Sequence, residues 1–208
     1  MKNYRYIGVA FVVLVFGIYA VPKIVAHFER PVLAKIGNVP PFSFTNQQGL
    51  VIDNTFYEDK VYVVEFFFTN CPTICPKMNE NMLRIQDAFY GHPAVGIASI
   101  SIDPQRDTPA VLARYAEQLG AVSANWHFLT GDLREVYELA NKGFTLYAGE
   151  NPQAAGGFEH SGMFALVDKQ GMIRSRSDAF GNPLAFYDGL SAKGIQMIKE
   201  DINILLKE

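Results

Sequence analysis

Cysteine is scarce in this chain, with two in 208 residues. That excludes a small fold stapled by several disulfides. An excess of basic charge is also missing: 18 Lys and Arg stand against 21 Asp and Glu. A nucleic-acid binder needs a basic field, so no nucleic-acid partner is expected. No internal repeat and no low-complexity stretch occurs. What is present is apolar side chain, at 49% of residues against 19% charged. Such a chain can bury a core, which a disordered tail cannot. Long uncharged runs are few, and one of them opens the sequence.

Residues Tyr6 to Val21 form an uncharged, largely apolar run of 16, preceded by Lys2 and Arg5. Sixteen residues fall short of the roughly 20 that cross a bilayer core. Letting Lys23 snorkel outward extends the span to Ala26, or 21 residues. The alternative is a cleaved signal peptide, but Ile18 occupies the small-residue position of a cleavage site after Ala20. No cysteine lies nearby, which excludes a lipoprotein anchor. The expectation is therefore an uncleaved N-terminal transmembrane helix within residues 1–28. It would make a single pass of the inner (cytoplasmic) membrane, with the rest of the chain on the periplasmic or equivalent exported side. Three of the 18 basic residues and none of the 21 acidic ones lie in residues 1–28. The exported part thus carries 15 against 21, a net −6. Export also places both cysteines in an oxidising compartment.

Residues 29–40, with Pro31, Gly37 and Pro40 and followed by Pro41, read as a linker. Residues 41–208 are the right length for one domain. A small hairpin is expected over Phe42 to Ile52, turning at Asn46–Gly49. The run Val61 to Thr69 reads as a central strand buried on both faces. Pro76 to Tyr90 has helical spacing through Met78, Met82, Ile85 and Phe89. Val95 to Ile102 is a second strand. A helix follows from Thr108-Pro109 to Gly120, with threonine as cap and glycine as stop. Then come a short strand at His127 to Leu129, a helix from Asp132 to near Gly143, a hairpin around Asp168–Gly171, and a helix striped by Ile195, Ile198, Ile202 and Leu205. The order β-α-β-α-β-β-α, with the cysteines just past the first long strand, is the thioredoxin-like order. The fold class is α/β, a central mixed sheet flanked by helices.

The chemistry centres on Thr69-Asn70-Cys71-Pro72-Thr73-Ile74-Cys75-Pro76. Pro76 disfavours helical dihedrals at Cys75, so both cysteines are expected in the turn, with Cys75 near the helix N-cap. Free N–H groups and the helix dipole favour thiolate there. Such a pair can close a redox-active disulfide or bind a soft metal. A purely structural bridge would close too short a loop to stabilise much. Of the four histidines, His27 and His92 read as solvated and His127 as a packing residue. His160 follows a Gly-rich loop (Gly156-Gly157), is expected to open the last hairpin, and is expected beside the cysteine turn. Two thiolates with one imidazole suit copper, as Cu(I) or Cu(II), whereas a structural zinc site wants a fourth ligand that is not evident. Glu65 interrupts the central strand and is expected to be buried. Its raised pKa would allow proton exchange with a nearby thiol, as with the buried acid of thioredoxins. A carboxylate satisfied by local partners is the other reading. Met78, Met82 and Met163 carry thioethers, and the first two are spaced as helix core.

These residues resemble the Sco/SenC family of membrane-anchored copper-delivery proteins. The resemblance rests on Phe68–Pro76, on Ser101-Ile102-Asp103-Pro104-Gln105-Arg106-Asp107-Thr108-Pro109, on Leu129-Thr130-Gly131 and on Glu159-His160-Ser161, and it runs over roughly residues 42–200. It implies a thioredoxin-like domain holding one copper through Cys71, Cys75 and His160. It also implies a part in assembling the dinuclear copper (CuA) site of cytochrome c oxidase, with the oxidase's copper-bearing subunit as partner. A copper donor and a thiol reductant would complete the set. Two positions depart from the family pattern: Thr73 replaces an acid between the cysteines, and Glu159 replaces Asp. In the Asp103–Pro109 stretch, Arg106 and Asp107 are expected to be solvated or salt-bridged. The competing reading is an exported thiol–disulfide oxidoreductase, in which Cys71 and Cys75 attack and resolve and Glu65 accepts the proton. A thiol peroxidase is weaker, since no arginine marks an activated cysteine. The copper reading requires His160 and the redox reading does not.

Overall fold

Hydrophobic patterning separates an N-terminal helix from a sheet-forming body, and the chain divides after Val32 into the units Met1–Val32 and Leu33–Glu208. The structure is a computed structural model that describes residues 4–28 and 32–208. The first unit is one helix, α1 (Tyr4–Phe28). Val9, Phe11, Val12, Leu14, Phe16 and Ile18 are all exposed along it, so it is apolar on every side rather than amphipathic. Among the described residues, no helix is long and apolar enough to cross a membrane. The described side chains of α1 end at Val21, and that of His27 lies beyond them.

The second unit opens with β1 (Ala34–Asn38), β2 (Ser43–Asn46) and β3 (Val51–Asp53). A 3₁₀ turn at Asn54–Tyr57 leads into β4 (Val61–Phe67). Then follow α2 (Cys75–Ala88), β5 (Val95–Ser101), α3 (Pro109–Leu119) and β6 (Trp126–Thr130). Helix α4 (Leu133–Glu138) runs on as a π-helical turn to Gly143. The chain ends with β7 (Ala148–Glu150), β8 (Phe158–His160), β9 (Met163–Val167), β10 (Met172–Ser175), β11 (Tyr187–Asp188) and α5 (Ala192–Leu205). The main sheet has the order β1-β10-β9-β4-β5-β6-β2-β3, with β11 added beside β9. Strands β4, β5 and β6 run parallel, and β9 is antiparallel to β4. This is the mixed thioredoxin-like sheet that the sequence pattern predicts.

The β-branched and aromatic side chains of β4 and β5 explain their central place, since every residue in both strands is buried. On the helices, Met78, Met82 and Ile85 of α2 and Ile195, Ile198 and Ile202 of α5 are buried in the same core. Their spacing puts one apolar stripe of each helix inward. Asp132 caps α4 by accepting from the Arg134 and Glu135 backbones at 2.9 and 3.2 Å. Gly120 stops α3 in the left-handed conformation at φ 83°.

Four expectations change. Residues 34–38, inside the stretch read as a linker, form edge strand β1, paired antiparallel with β10. The prolines that suggested a tether flank this strand and so leave its ladder intact. Cys75 is not outside the helix: it is the first residue of α2, with Ile74 as the N-cap, and Pro76 sits where a missing N–H costs nothing. Thr108 occupies the N-cap of α3, but its side chain makes no capping bond. His160 does not open the last hairpin. It closes a separate two-stranded sheet, β7 with β8, that the sequence reading missed because its strands are only three residues long.

Candidate metal centre

The parallel strands end on one side of the molecule, and the cysteine turn leaves from the end of β4. The Cys71 backbone N–H donates to the Phe68 carbonyl at 3.3 Å, and the Met78 N–H to that of Ile74 at 3.0 Å. Between these bonds the chain turns into α2. Cys71 and Cys75 are both buried and both free thiols. From the other side β8 delivers His160, also buried. The two Sγ atoms and a ring nitrogen of His160 lie within 4.8 Å of one another. Eighty-five residues separate Cys75 from His160, yet Cys75 Sγ is 3.0 Å from His160 Nε2.

The tautomer of His160 follows from its second partner. Its Nδ1 lies 3.0 Å from the Ser161 carbonyl oxygen, which can only accept, so Nδ1 carries the proton. The Nε2 lone pair therefore faces Cys75, where a soft metal would sit. A hydrogen bond from the far ring nitrogen to a carbonyl is the usual support of a metal-binding imidazole. With metal–sulfur bonds of about 2.3 Å, a three-coordinate ion fits a triangle of this size after small shifts.

The two thiols share their protons unequally. The nearby Cys75 thiol lowers the Cys71 pKa most, burial opposes it, and His160, the Cys75 N–H and Thr73 act in the lowering direction. Cys75 is pushed well up, first by the neighbouring Cys71 sulfur and then by burial. The coupling thus favours ionisation at Cys71 over Cys75. Thr73 bears on this directly, with its hydroxyl 3.6 Å from Cys71 Sγ. The residue that replaces the family's acid is a neutral neighbour of Cys71.

Aromatic packing seats the histidine. Its ring meets Phe68 edge-on at 5.9 Å, and Phe68 packs on Phe158 at 5.4 Å. Arg106 lies over Phe158 at 5.9 Å while pairing with Asp103 at 3.0 Å. Gly156 makes this approach possible: a Cβ there would come within 2.7 Å of Phe68 Cε2, and its φ is +89°. Gly157 has a similar φ of +86° but open space around it. Gly157→Ala should therefore cost about 1 kcal/mol from backbone strain alone. Gly156→Ala should cost about 1–3 kcal/mol more from overpacking. Chemical denaturation of the two variants measures the difference. Equal losses would mean that Phe68 yields freely and does not set the histidine's position.

Glu65 is fully buried in mid-β4, opposite Ser99 of β5. Ser99 Oγ donates to its Oε1 at 2.6 Å, and Trp126 Nε1 donates to that same hydroxyl at 2.9 Å. Oε2 has no partner among the described residues. Burial raises the Glu65 pKa to about 7, and the Ser99 bond and nearby His160 offset part of the rise.

The remaining candidates fall outside the site. Met78 and Met82 are fully buried core, and Met163 is partly exposed. His92 is exposed, its Nδ1 accepting from the Ala94 backbone at 3.3 Å. His127 is buried with its Nδ1 3.2 Å from Asn46 Nδ2. Burial lowers its pKa to about 4. Asp107 is neither solvated nor salt-bridged. It is 1% exposed and accepts hydrogen bonds from Thr69 and Ser101. No sequence signal separates it from its exposed neighbour Arg106. Only contact across the strand ends does so.

Residues 34–191 match the sequence model of the SCO1/SenC family. A "SCO1 protein homolog" of Bacillus subtilis (strain 168) is 34% identical over 137 residues, which is 65% of this chain and 70% of that one. Among solved structures, BsSco is described as having a disulfide switch and as belonging to the Sco family of cytochrome c oxidase assembly proteins. It superposes with a TM-score of 0.69 at 29% identity, covering 83% of this chain and 95% of that one. Yeast Sco1 with copper bound superposes at 0.59 with 26% identity, covering 82% and 90%.

Proposed function

Because this chain belongs to the SCO1/SenC family, we propose that it binds one copper ion at Cys71, Cys75 and His160 and hands it on during maturation of the CuA site of cytochrome c oxidase. The observation that carries this is the meeting of two cysteine sulfurs and one imidazole nitrogen within 4.8 Å. Two sulfurs suit Cu(I), and the imidazole extends the set to Cu(II). Three ligands leave room for an incoming ligand, so copper can pass to an acceptor by exchange. The copper-bearing oxidase subunit is the acceptor in this reading, served by a separate copper donor and a thiol reductant. Residues 1–28 act as a single-pass anchor in the inner membrane. The unit from Leu33 onward is the exported copper-binding domain. The uncharged run Tyr6–Val21, flanked by Lys2, Arg5 and Lys23, supports the anchor.

The test is metal content. The protein, reduced and then exposed to copper without oxygen, should retain about one copper per chain. Retention of none would leave the second reading, a thiol–disulfide oxidoreductase. The inequality of the two thiols favours that alternative: Cys71, the more readily ionised, would attack and Cys75 would resolve. A disulfide offers copper no thiolate, so both readings need the pair reduced.

A further inference from the structure

The Cys71 turn is held from outside the site. Thr69 lies two residues before Cys71, just past the end of β4. Its backbone N–H donates to Asp107 Oδ2 at 3.0 Å and its hydroxyl donates to Oδ1 at 2.5 Å. Ser101, the last residue of β5, donates its hydroxyl to Oδ2 at 2.5 Å. Ser101 Oγ also accepts from the Asp103 N–H at 3.1 Å, which starts the loop leading to Asp107. That loop is closed by the Arg106 and Asp107 N–H groups, both donating to the Asp103 carbonyl at 3.1 and 2.9 Å. Phe67 and Ser101 are register partners. The carboxylate therefore ties the exits of two neighbouring parallel strands together. Arg106, the adjacent cation, turns away to Asp103. All three bonds to Asp107 run toward its oxygens, so it serves purely as an acceptor, at 1% exposure.

We propose that Asp107 is a positioning residue for the metal site: by fixing Thr69 it sets the turn that brings Cys71 within reach of Cys75 and His160. This rests on the copper reading for its metal consequence, but its effect on the cysteine pair does not. A turn anchored at Thr69 and at α2 leaves the two sulfurs little freedom to separate. Releasing Thr69 lowers the effective concentration of one sulfur at the other. It equally raises the ordering cost of gathering three ligands round one ion.

The test compares Asp107→Ala, which removes all three bonds, with Thr69→Val, which removes only the hydroxyl bond. Asp107→Asn serves as the conservative control, since its amide oxygen can still accept from Thr69. Two properties are measured beside thermal stability. The first is the equilibrium with glutathione disulfide. Cys71 and Cys75 lose two electrons and two protons to form their S–S bond, and glutathione disulfide is cleaved to two glutathione thiols. The second is copper affinity, by chelator competition, with the thiolate-to-copper absorption band of the Cu(II) form. Asp107→Ala should lower the disulfide equilibrium constant about tenfold, roughly 30 mV in potential. It should also weaken copper by about tenfold and move the absorption band, with Thr69→Val in the same direction and Asp107→Asn near the parent. If Asp107→Ala does not fold, Thr69→Val carries the comparison alone. A parent protein that retains no copper would count against the copper reading, and the glutathione equilibrium would still decide the role of Asp107. Variants that only melt earlier, with disulfide equilibrium and copper band unchanged, would make Asp107 a general stabiliser and overturn the proposal.

Discussion

His160→Ala should cost the protein at least about a hundredfold in copper affinity, since loss of a supporting outer partner alone costs 10–100-fold at metal sites. The loss should be unequal between oxidation states. Two thiolates can hold Cu(I) in two-coordinate form, whereas Cu(II) depends more on the harder nitrogen. Competition against chelators of each oxidation state would show the larger drop for Cu(II). The Cys71–Cys75 pair should still form its disulfide in the variant, because neither sulfur depends on the imidazole for its place in the turn. An unchanged affinity for both ions would remove His160 from the site despite its 3.0 Å approach to Cys75.

Glu65→Gln should flatten the pH dependence of folding stability by about 3 kcal/mol. The folded-state pKa of Glu65 is raised to about 7 from an ordinary value of 4.5. Below the ordinary value both folded and unfolded chains hold the proton, and the favourable contribution is fully present. As pH rises, the unfolded chain ionises first, and stability falls until the folded carboxyl ionises too, near pH 7. His127 works the other way, with its pKa lowered to about 4 from 6.5. Its contribution is present above the ordinary value and lost as pH falls toward 4. The two slopes oppose each other between about pH 4.5 and 6.5, so the parent protein alone would hide both. Urea unfolding of parent and variant from pH 4 to 8 separates them. The variant should gain on the parent across that range, most steeply between pH 5 and 7. Parallel curves would mean that Glu65 finds a stabilising partner for its charge.

Much of this was legible in the residues. The run of β4 carried its own burial, because aromatic and β-branched side chains without alternation fit only a strand covered on both faces. Pro76 and Pro109 marked helix starts, and Gly120 a helix end, for local backbone reasons. The cysteine spacing announced a reactive pair at a strand-to-helix turn. Strand β1 was not legible, since its exposed Lys35, Ile36 and Asn38 show no clear period and its partner β10 lies far along the chain. The short pair β7 and β8 was hidden in the same way.

By itself, then, the sequence determined the kinds of atoms available to copper and the local shapes of the segments that carry them, because donor chemistry and backbone preference belong to single residues and near neighbours. Only the tertiary structure decided that Cys75 and His160 touch across 85 positions, and that the surroundings of Cys71 favour its ionisation over that of Cys75. It alone made Asp107 a buried tie rather than a surface acid. Distance, desolvation and hydrogen-bond direction are properties of groups brought together from separate strands. No reading along the chain contains them until the sheet has placed the strand ends side by side.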